Sequence, residues 1–326
     1  MTTMDVTVIV CTYNRAASLR DTLEALREQQ VPPTLAWEVV VVDNNSHDET
    51  GAVVREFAAR GPMPVKYVFE SRQGVSAARN AGIDHATGDI IAFTDDDVLP
   101  GPDWVAAILP LLREHSADIL GGRVLPRWPR PAPPWLSGSR TLLHALALMD
   151  HGTVERITPA TRHPRVWTCN VAIRREAIAR VGSFDPGLGR RGAKLHGGED
   201  TDFLSRALAH GVAVVYDPRL LVWHKIPAAR MRRSYFRRWH FEGAEGMALQ
   251  AGPPEGRRLL GVSLFSYRWL LVRLAAWLVA ACRRRPDALE LQLDFLAAAG
   301  RWWGEWRASR AGGEQPAGGR ARHGAE

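Results

Sequence analysis

Across the first 125 residues, short apolar runs alternate with segments whose apolar residues recur at helical spacing. The predicted strands are residues 6–11, 39–42, 65–69 and 89–93. The segments of helical spacing between them are residues 17–30, 50–60 and 76–86. Continuous apolar strands joined by helices indicate a largely parallel sheet that is covered by helices on both faces. This alternation therefore predicts a Rossmann-like α/β fold.

Polar side chains follow three of the predicted strands. Tyr13 and Asn14 follow the first strand, Asp43 follows the second, and three aspartates at 95–97 follow the fourth. Ligands of such sheets bind beyond the carboxyl ends of the strands. We therefore expect a binding site at this edge of the sheet.

The pattern changes twice further along the chain. Residues 126–165 are rich in proline, which excludes regular structure and is typical of a long binding loop. Strand-like and helix-like segments then resume at residues 166–173, 175–181, 199–210 and 212–216. With 326 residues, 46% of them hydrophobic, the chain can form one large domain and an appendage. We predict an α/β domain over 1–225, a helical region over 226–310 and a disordered tail over 311–326.

Positive charge is concentrated at the C-terminal end. Residues 226–326 carry 17 arginines, no lysine and 9 acidic residues, while residues 1–225 carry 25 basic and 26 acidic residues. Such asymmetry favours contact with an anionic surface. The neutral α/β part and the lack of a recognisable nucleic-acid module argue against nucleic acid as the partner.

The apolar segment 259–282 suggests a membrane surface as that partner. It contains Arg268 and Arg273, and its uninterrupted part, 274–282, is too short to span a bilayer. An interfacial amphipathic helix fits better, although the tryptophans of this region could instead pack on the α/β domain or on a partner. With no signal-peptide pattern and three widely spaced cysteines, we expect a cytoplasmic protein, peripheral on the inner face of the cell membrane.

The triplet Asp95, Asp96 and Asp97 is the most informative local feature. Three adjacent carboxylates at the end of a buried strand repel one another, and a nearby cation removes that repulsion. Their hard oxygen ligands favour Mg²⁺ or Mn²⁺, which typically bridge to phosphate oxygens. The alternative is a solvated loop whose aspartates cap the helix that begins near Trp104.

Residues 4–225 resemble a non-processive family 2 glycosyltransferase of the GT-A fold. The resemblance rests on five motifs in the correct order: residues 8–15 (VIVCTYNR), 41–46 (VVDNNS), 74–82 (GVSAARNAG), 94–97 (TDDD) and 198–200 (GED). They resemble, in turn, the nucleotide loop, the base-reading strand, the segment before the metal motif, the DXD motif and the motif that carries the catalytic base.

The resemblance assigns a role to each matching residue. The nucleotide-binding residues it implies are Thr12, Tyr13, Asn14, Arg15, Asp43, Arg79, Asp95 and Asp96. Those implied for Mn²⁺ or Mg²⁺ are Asp97, Asp95 and His224. Asp200 is implied as the base, with Glu199 beside it, and Asn170 as a contact of the donor or acceptor sugar. Each of these side chains could instead be structural: a turn cap, a core residue, a surface histidine or an acid favoured by a helix dipole.

The activity implied is inverting transfer of a sugar from a nucleotide-sugar donor, with UDP favoured, to a hydroxyl of a glycan or lipid-linked acceptor. Two other functions remain open: a sugar-phosphate nucleotidyltransferase and a non-catalytic nucleotide-sugar binding protein. Residues 11–14 (CTYN) lack the glycine-rich loop expected of the first, and the retained acidic motifs argue against the second. Residues 235–239 (YFRRW) resemble the motif of processive synthases, but its glutamine is missing. A glycine-rich loop with Arg190 and Arg191 is compatible with a mobile lid or a plain surface loop.

Overall fold

The computed structural model describes residues 4–161, 166–190, 192, 195, 197–252 and 254–311. The chain divides into two compact units, Met1–Phe236 and Arg237–Glu326. The sequence predicts this boundary after residue 225. The first compact unit includes Phe236, whose ring is fully buried and contacts Trp135 edge to face, and the predicted domain boundary stays a prediction. The predicted disordered tail, 311–326, lies outside the described residues except for Ala311.

The described part of the first unit contains one nine-stranded sheet. Its strands are β1 (Met4–Thr12), β2 (Trp37–Asp43), β3 (Val65–Phe69), β4 (Gly88–Asp95), β5 (Val98–Pro100), β6 (Ile119–Arg127), β7 (Glu155–Ile157), β8 (Asn170–Arg174) and β9 (Val214–Lys225). The order is β3-β2-β1-β4-β8-β6-β9-β5, and β7 also pairs with β9. The strands from β3 to β4 are parallel, as predicted, while β8 runs antiparallel to both β4 and β6.

Helices connect these strands and cover the sheet on both faces. They are α1 (Ala16–Arg27), α2 (Thr50–Ala59), α3 (Val75–His85), α4 (Trp104–Glu114), α5 (Pro134–Ser137), α6 (Arg140–Ala145), α7 (Arg175–Val181) and α8 (Glu199–Ala209), followed by a short 3-10 helix (Ala228–Met231). In α1, the apolar residues Leu19, Leu23 and Leu26 are buried, as their spacing predicts. The predicted α/β fold is therefore confirmed, and its second half is a mixed sheet.

The strand β6 was not predicted, and α4 was anticipated only by its start near Trp104, because both sequences contain residues that weaken the usual signals. The helix α4 contains Pro110, and β6 contains Gly121 and Gly122. A side chain at Gly122 would collide with the Leu220 carbonyl oxygen, so the close approach of β9 requires glycine there. The proline-rich stretch 126–165 also includes the short elements α5, α6 and β7, contrary to the expectation that it excludes regular structure.

The second unit is helical. The helix α9 (Arg233–Ala251) enters it from the first unit, and a two-stranded hairpin, β10 (Arg258–Leu259) and β11 (Val262–Ser263), follows. Two long helices then complete it, α10 (Leu264–Cys282) and α11 (Ala288–Ala311). Glu305 of α11 is buried and accepts hydrogen bonds from Ser263 and Ser266, which ties α11 to the start of α10.

Close packing of α3 against the parallel strands predicts that Gly82→Ala destabilises the first unit. A methyl group at Gly82 would lie 2.5 Å from Cγ2 of Ile9, where the buried strand leaves no room. We expect the free energy of unfolding to fall by about 1–3 kcal/mol in urea denaturation. Gly51→Ala in α2 is the control, because its nearest neighbour is the flexible end of Arg55. Equal effects of the two substitutions would contradict the packing argument.

Candidate active site

The aspartate triplet lies at the carboxyl end of β4 and begins the turn into β5. Asp96 points into the protein, where it accepts hydrogen bonds from Thr12 Oγ1 at 2.8 Å and Arg15 at 3.0 Å. Asp97 is also buried and accepts from Arg15 at 2.6 Å. Asp95 is half-buried, and no hydrogen bond from the described residues reaches its carboxylate. Of the three aspartates, Asp96 is the one whose side chain connects the turn to the end of β1, through Thr12.

Asp97 and His224 form the part of the site most suited to a metal ion. Nδ1 of the buried His224 lies 2.8 Å from the Leu146 carbonyl oxygen and donates its proton there. Nε2 of the same ring faces Asp97 Oδ1, 3.3 Å away, and lies 3.5 Å from Nη1 of Arg230. Without a proton on Nε2, the nitrogen and the carboxylate are two acceptors that need a cation beside them, and the Arg230 guanidinium is the cation that lies there in the structure. Imidazole nitrogen with carboxylate oxygen is a donor set that Mn²⁺ accepts readily.

Within the described residues, no group of three or more His, Cys, Asp or Glu side chains is arranged to hold a metal ion. A two-ligand site is nevertheless common where the metal arrives with a phosphate-bearing substrate, because one or two carboxylates and the phosphates complete the coordination. The Asp97–His224 pair therefore fits a divalent cation that is shared with a diphosphate.

Burial and mutual repulsion make it unfavourable for all three aspartates to be charged. Burial, together with the neighbouring Asp97, raises the pKa of Asp96 to about 7, and burial also raises the pKa of Asp95. For Asp97, burial alone would raise the pKa, but the charges of His224 and Arg15 hold it well below its usual value. Negative charge is therefore concentrated on Asp97, at the position best placed to attract a cation.

Arg230 is a site residue that the sequence did not reveal. It belongs to the arginine-rich region 226–326, for which the sequence suggests contact with an anionic surface. The structure instead places Nη2 of Arg230 3.7 Å from Asp97 Oδ2, with its guanidinium above the Tyr235 ring. Only 12% of its side chain is exposed. The 3-10 helix after β9 thus supplies a second arginine, besides Arg15, next to the aspartate.

A second cluster forms around the Glu199–Asp200 pair, at the start of α8. The Nη1 atom of Arg79, from α3, lies 3.1 Å from both Glu199 Oε1 and Asp200 Oδ1. Arg79 is almost fully buried and stacks over the Phe184 ring. Its predicted role opposite a diphosphate stays a prediction, because the guanidinium here holds the two acids together.

Thr168 completes the surroundings of Asp200. Its Oγ1 donates to Asp200 Oδ1 at 2.8 Å. Burial and the neighbouring Glu199 outweigh the opposing effect of Arg79 and raise the pKa of Asp200 to about 6. A carboxylate with this pKa is mostly ionised at pH 7 and is a stronger base than an ordinary aspartate.

The predicted base-reading residue, Asp43, is held from both sides. Its Oδ1 accepts from the Ser46 backbone N–H at 2.8 Å, and its Oδ2 accepts from the Tyr67 hydroxyl at 2.9 Å. Asn14 has a left-handed backbone and binds the same turn, since its Oδ1 accepts from the His47 N–H at 2.7 Å. The two turns that follow β1 and β2 are therefore connected. Tyr13 is half-buried beside them.

Asn170 lies inside the sheet and not at the cleft surface. It is fully buried, and its Oδ1 accepts from Trp104 Nε1 at 2.8 Å. Its Nδ2 donates to the Arg123 and Leu220 carbonyls at 2.9 and 2.8 Å. The predicted contact with a sugar would require these bonds to break.

The glycine-rich loop before α8 approaches the acidic pair closely. Gly189 has a positive φ of 94°, and a side chain there would meet Val75 at 2.6 Å and the Glu199 carboxylate. The Arg190 carbonyl accepts from the Val75 N–H, which connects this loop to the start of α3. Arg191, the other arginine of the predicted lid, lies outside the described residues.

The model of the family described as Glycosyl transferase family 2 matches residues 7–182, more than half of the chain. The chain belongs to this family. The resemblance inferred from the five motifs is thereby confirmed.

Two curated relatives are similar over most of their lengths. The succinoglycan biosynthesis protein ExoM of Rhizobium meliloti is 29% identical over 244 residues, which cover 74% of this chain and 74% of that protein. The glucosyl-dolichyl phosphate glucuronosyltransferase of Haloferax volcanii is 26% identical over 227 residues, with 68% and 70% of the two chains covered.

Solved structures support the GT-A fold. The mannosyltransferase PcManGT from Pyrobaculum calidifontis, in complex with GDP-Man and Mn²⁺, superposes with a TM-score of 0.54 at 22% identity, covering 95% of this chain and 74% of that one. S. aureus TarS 1-349 in complex with UDP gives 0.50 at 18% identity, covering 95% and 92%. At these identities the likeness shows the fold alone.

The buried amide network predicts that Asn170→Ala acts on stability. The substitution leaves the Trp104 N–H and two carbonyl groups without partners, so we expect the free energy of unfolding to fall by about 3 kcal/mol. Trp104→Phe, which removes only one of these bonds, should cost less. Urea denaturation measures both. An Asn170→Ala protein of normal stability whose KM for a sugar donor rises would instead support the sugar contact.

Proposed function

We propose that the chain transfers a sugar, with inversion, from a nucleoside-diphosphate sugar to a hydroxyl of a glycan or lipid-linked acceptor, and that UDP is the favoured nucleotide. The observation that carries the proposal is Asp200, a carboxylate of raised pKa that Arg79 and Thr168 hold in place at the carboxyl edge of the sheet. It lies in the Gly198-Glu199-Asp200 motif, where the resemblance implies the catalytic base.

In the proposed reaction, the acceptor hydroxyl attacks the anomeric carbon from the face opposite the diphosphate. As the new C–O bond forms, the bond to the diphosphate oxygen breaks, and Asp200 takes the hydroxyl proton. Arg79 keeps the carboxylate oriented and ionised, while Glu199 shares that guanidinium and binds acceptor hydroxyls.

On the donor side, Asp43 recognises the pyrimidine, and Tyr13 flanks it. Asp95, whose carboxylate accepts no hydrogen bond from the described residues, receives the ribose hydroxyls or a metal-bound water. Thr12, Asn14, Arg15 and Asp96 hold the surrounding loop.

Asp97 and His224 would hold Mn²⁺ or Mg²⁺. When bound there, the ion neutralises the charge that develops on the departing diphosphate. Arg15 and Arg230 lie beside the same carboxylate and add positive charge at this point. The solved neighbour with GDP-Man and Mn²⁺ supports a nucleotide and metal in such a fold, although its nucleotide is GDP. The neighbour in complex with UDP supports UDP.

The nucleotide and metal assignments predict metal-dependent binding of UDP. We expect UDP to bind more tightly than GDP or dTDP in calorimetric titrations, and only with Mn²⁺ or Mg²⁺ present. Asp97→Asn should weaken the metal-dependent binding by at least about tenfold, because a ligand oxygen is lost. The exposed Asp103→Asn is the control and should bind normally. Metal-independent binding without hydrolysis of any sugar donor would favour a non-catalytic binding protein.

The Thr168 hydrogen bond predicts a change in the pH profile. It stabilises the charged form of Asp200, so Thr168→Val should raise the Asp200 pKa above about 6. A base works only when ionised, and activity is lost as pH falls through its pKa. The acidic limb of kcat should therefore move upward by about one pH unit.

The control for this profile is Asp200→Asn, which should lower kcat by about 10²–10⁴ at pH values above the Asp200 pKa and remove the acidic limb. Thr168→Val tests whether the pKa of Asp200 sets the acidic limb, and Asp200→Asn tests whether the transfer needs this base. An unchanged limb in Thr168→Val would show that another group titrates there.

A further inference from the structure

The helix α10 in the second unit has one face that is both exposed and apolar. Its large exposed side chains come in pairs seven residues apart: Leu264 and Phe265, Leu271 and Val272, and Leu278 and Val279. Only 11% of its most apolar 18-residue window is buried within the structure. The helix contains no Asp or Glu. This apolar stripe therefore runs along the whole helix without a negative charge.

The opposite face of α10 packs on α11. The Trp277 and Phe295 rings stack with centroids 5.3 Å apart, and Arg273 pairs with Asp294 at 3.2 Å. Ser266 is buried against Glu305. The stripe thus lies on a rigid support, because α10 is anchored near its beginning, middle and end.

A strained hairpin extends the apolar surface beyond the start of α10. The turn between β10 and β11 consists of Leu260 and Gly261, with φ of 50° and 84°. Such two-residue turns favour asparagine followed by glycine, and leucine rarely adopts a positive φ. Leu260 is nevertheless 79% exposed, next to the exposed Leu259. Strain that is kept at an exposed position indicates a functional role for the side chain.

Unpaired arginines lie along the same segment. Arg257 and Arg258 precede the hairpin turn, Arg268 lies within α10, and Arg283 and Arg284 follow it. Among the described residues, no acidic side chain forms an ion pair with any of the five. The apolar stripe is therefore bordered by positive charge at both ends.

We propose that this surface, the α10 stripe with the Leu259–Leu260 turn, docks in the plane of an anionic lipid bilayer. This proposal specifies the membrane contact that the sequence leads us to expect for the C-terminal region. It rests on the proposed function in one respect, because the docked enzyme would then reach a lipid-linked acceptor. The apolar side chains enter the boundary between headgroups and acyl chains, and the arginines contact anionic headgroups.

A second copy of the chain fits this surface less well. Two α10 helices packed through their stripes would bring arginines against arginines in either orientation, because clusters of them border both ends. With no acid on α10, nothing on the stripe would compensate that repulsion. An anionic bilayer can bury the apolar stripe and also bind the arginines through its headgroups.

By length and composition, α10 is the one described helix that could cross a membrane. Crossing would place Arg268 and the Arg273–Asp294 pair in the hydrocarbon, together with the charged residues of α11 that pack beside them. Charges at that depth are strongly unfavourable. In-plane docking keeps them at the polar boundary.

The test uses the purified full chain in sedimentation with vesicles of phosphatidylcholine alone or mixed with phosphatidylglycerol. We expect binding to the mixed vesicles only, weakened by salt. Replacing both Leu271 and Leu278 with Gln, or both Arg257 and Arg258 with Gln, should weaken binding on the order of tenfold or more.

Two matched controls should leave vesicle binding unchanged. Met247→Gln alters an exposed apolar residue away from the stripe, and Arg55→Gln with Arg113→Gln removes two exposed charges from the first unit. Equal losses in these controls would overturn the assignment of the surface.

Leu260→Asn tests whether the Leu260 side chain contacts the bilayer or serves only the structure of the turn. Asparagine tolerates the left-handed conformation, so the thermal midpoint should stay the same or rise, while vesicle binding should fall. A purely structural turn would show no loss of binding.

Other outcomes would overturn the proposal. These are no vesicle binding by folded protein, equal binding to both vesicle types, retention after an alkaline wash, or a dimer in light scattering that the Leu271 and Leu278 changes abolish. UDP titration of the same samples tests the transferase proposal separately, since it does not depend on vesicles.

Discussion

The buried ion pairs of Arg79 with Glu199 and Asp200 organise the catalytic half of this molecule. They join α3 to the start of α8, two elements about 120 positions apart in sequence. Loss of one partner of a buried pair leaves an uncompensated charge, which typically costs about 3–5 kcal/mol. The same contacts set the direction in which Asp200 faces, so stability and the proposed chemistry depend on one guanidinium.

At the aspartate triplet, negative carboxylates are again paired with positively charged side chains. Arg15, Arg230 and His224 surround Asp97, and Arg15 also donates to Asp96, whose other carboxylate oxygen accepts from Thr12. The three carboxylates therefore have different partners. Asp95 ends β4, whereas Asp96 and Asp97 form the turn that follows it.

Sequence patterns predicted the parallel half of the sheet well. Its strands β1, β2 and β4 are mostly apolar, and the motifs at their carboxyl ends give local signals for the turns. The GT-A fold and the family followed from those motifs in order. The later elements were harder, because glycines in β6 and a proline in α4 reduce the usual patterns.

The contacts of individual side chains could not be predicted in the same way. The local sequences around Asn170 and Arg230 resemble those of surface residues. Asn170 nevertheless lies within the sheet, and Arg230 faces Asp97. Thr168 and Tyr67 have no motif, and they matter because they donate to Asp200 and Asp43. Such pairings depend on strand order, which joins positions far apart in the chain.

The pairing of β5 with β9 holds Asp97 and His224 at a fixed separation. Val98 lies opposite His224, and the Lys225 N–H donates to the Asp97 carbonyl at 2.8 Å. The separation of Asp97 from His224 is therefore set by the main chain of two paired strands and not by loops. The loops around the site can lengthen or change while the distance between these two side chains, the proposed metal ligands, stays the same.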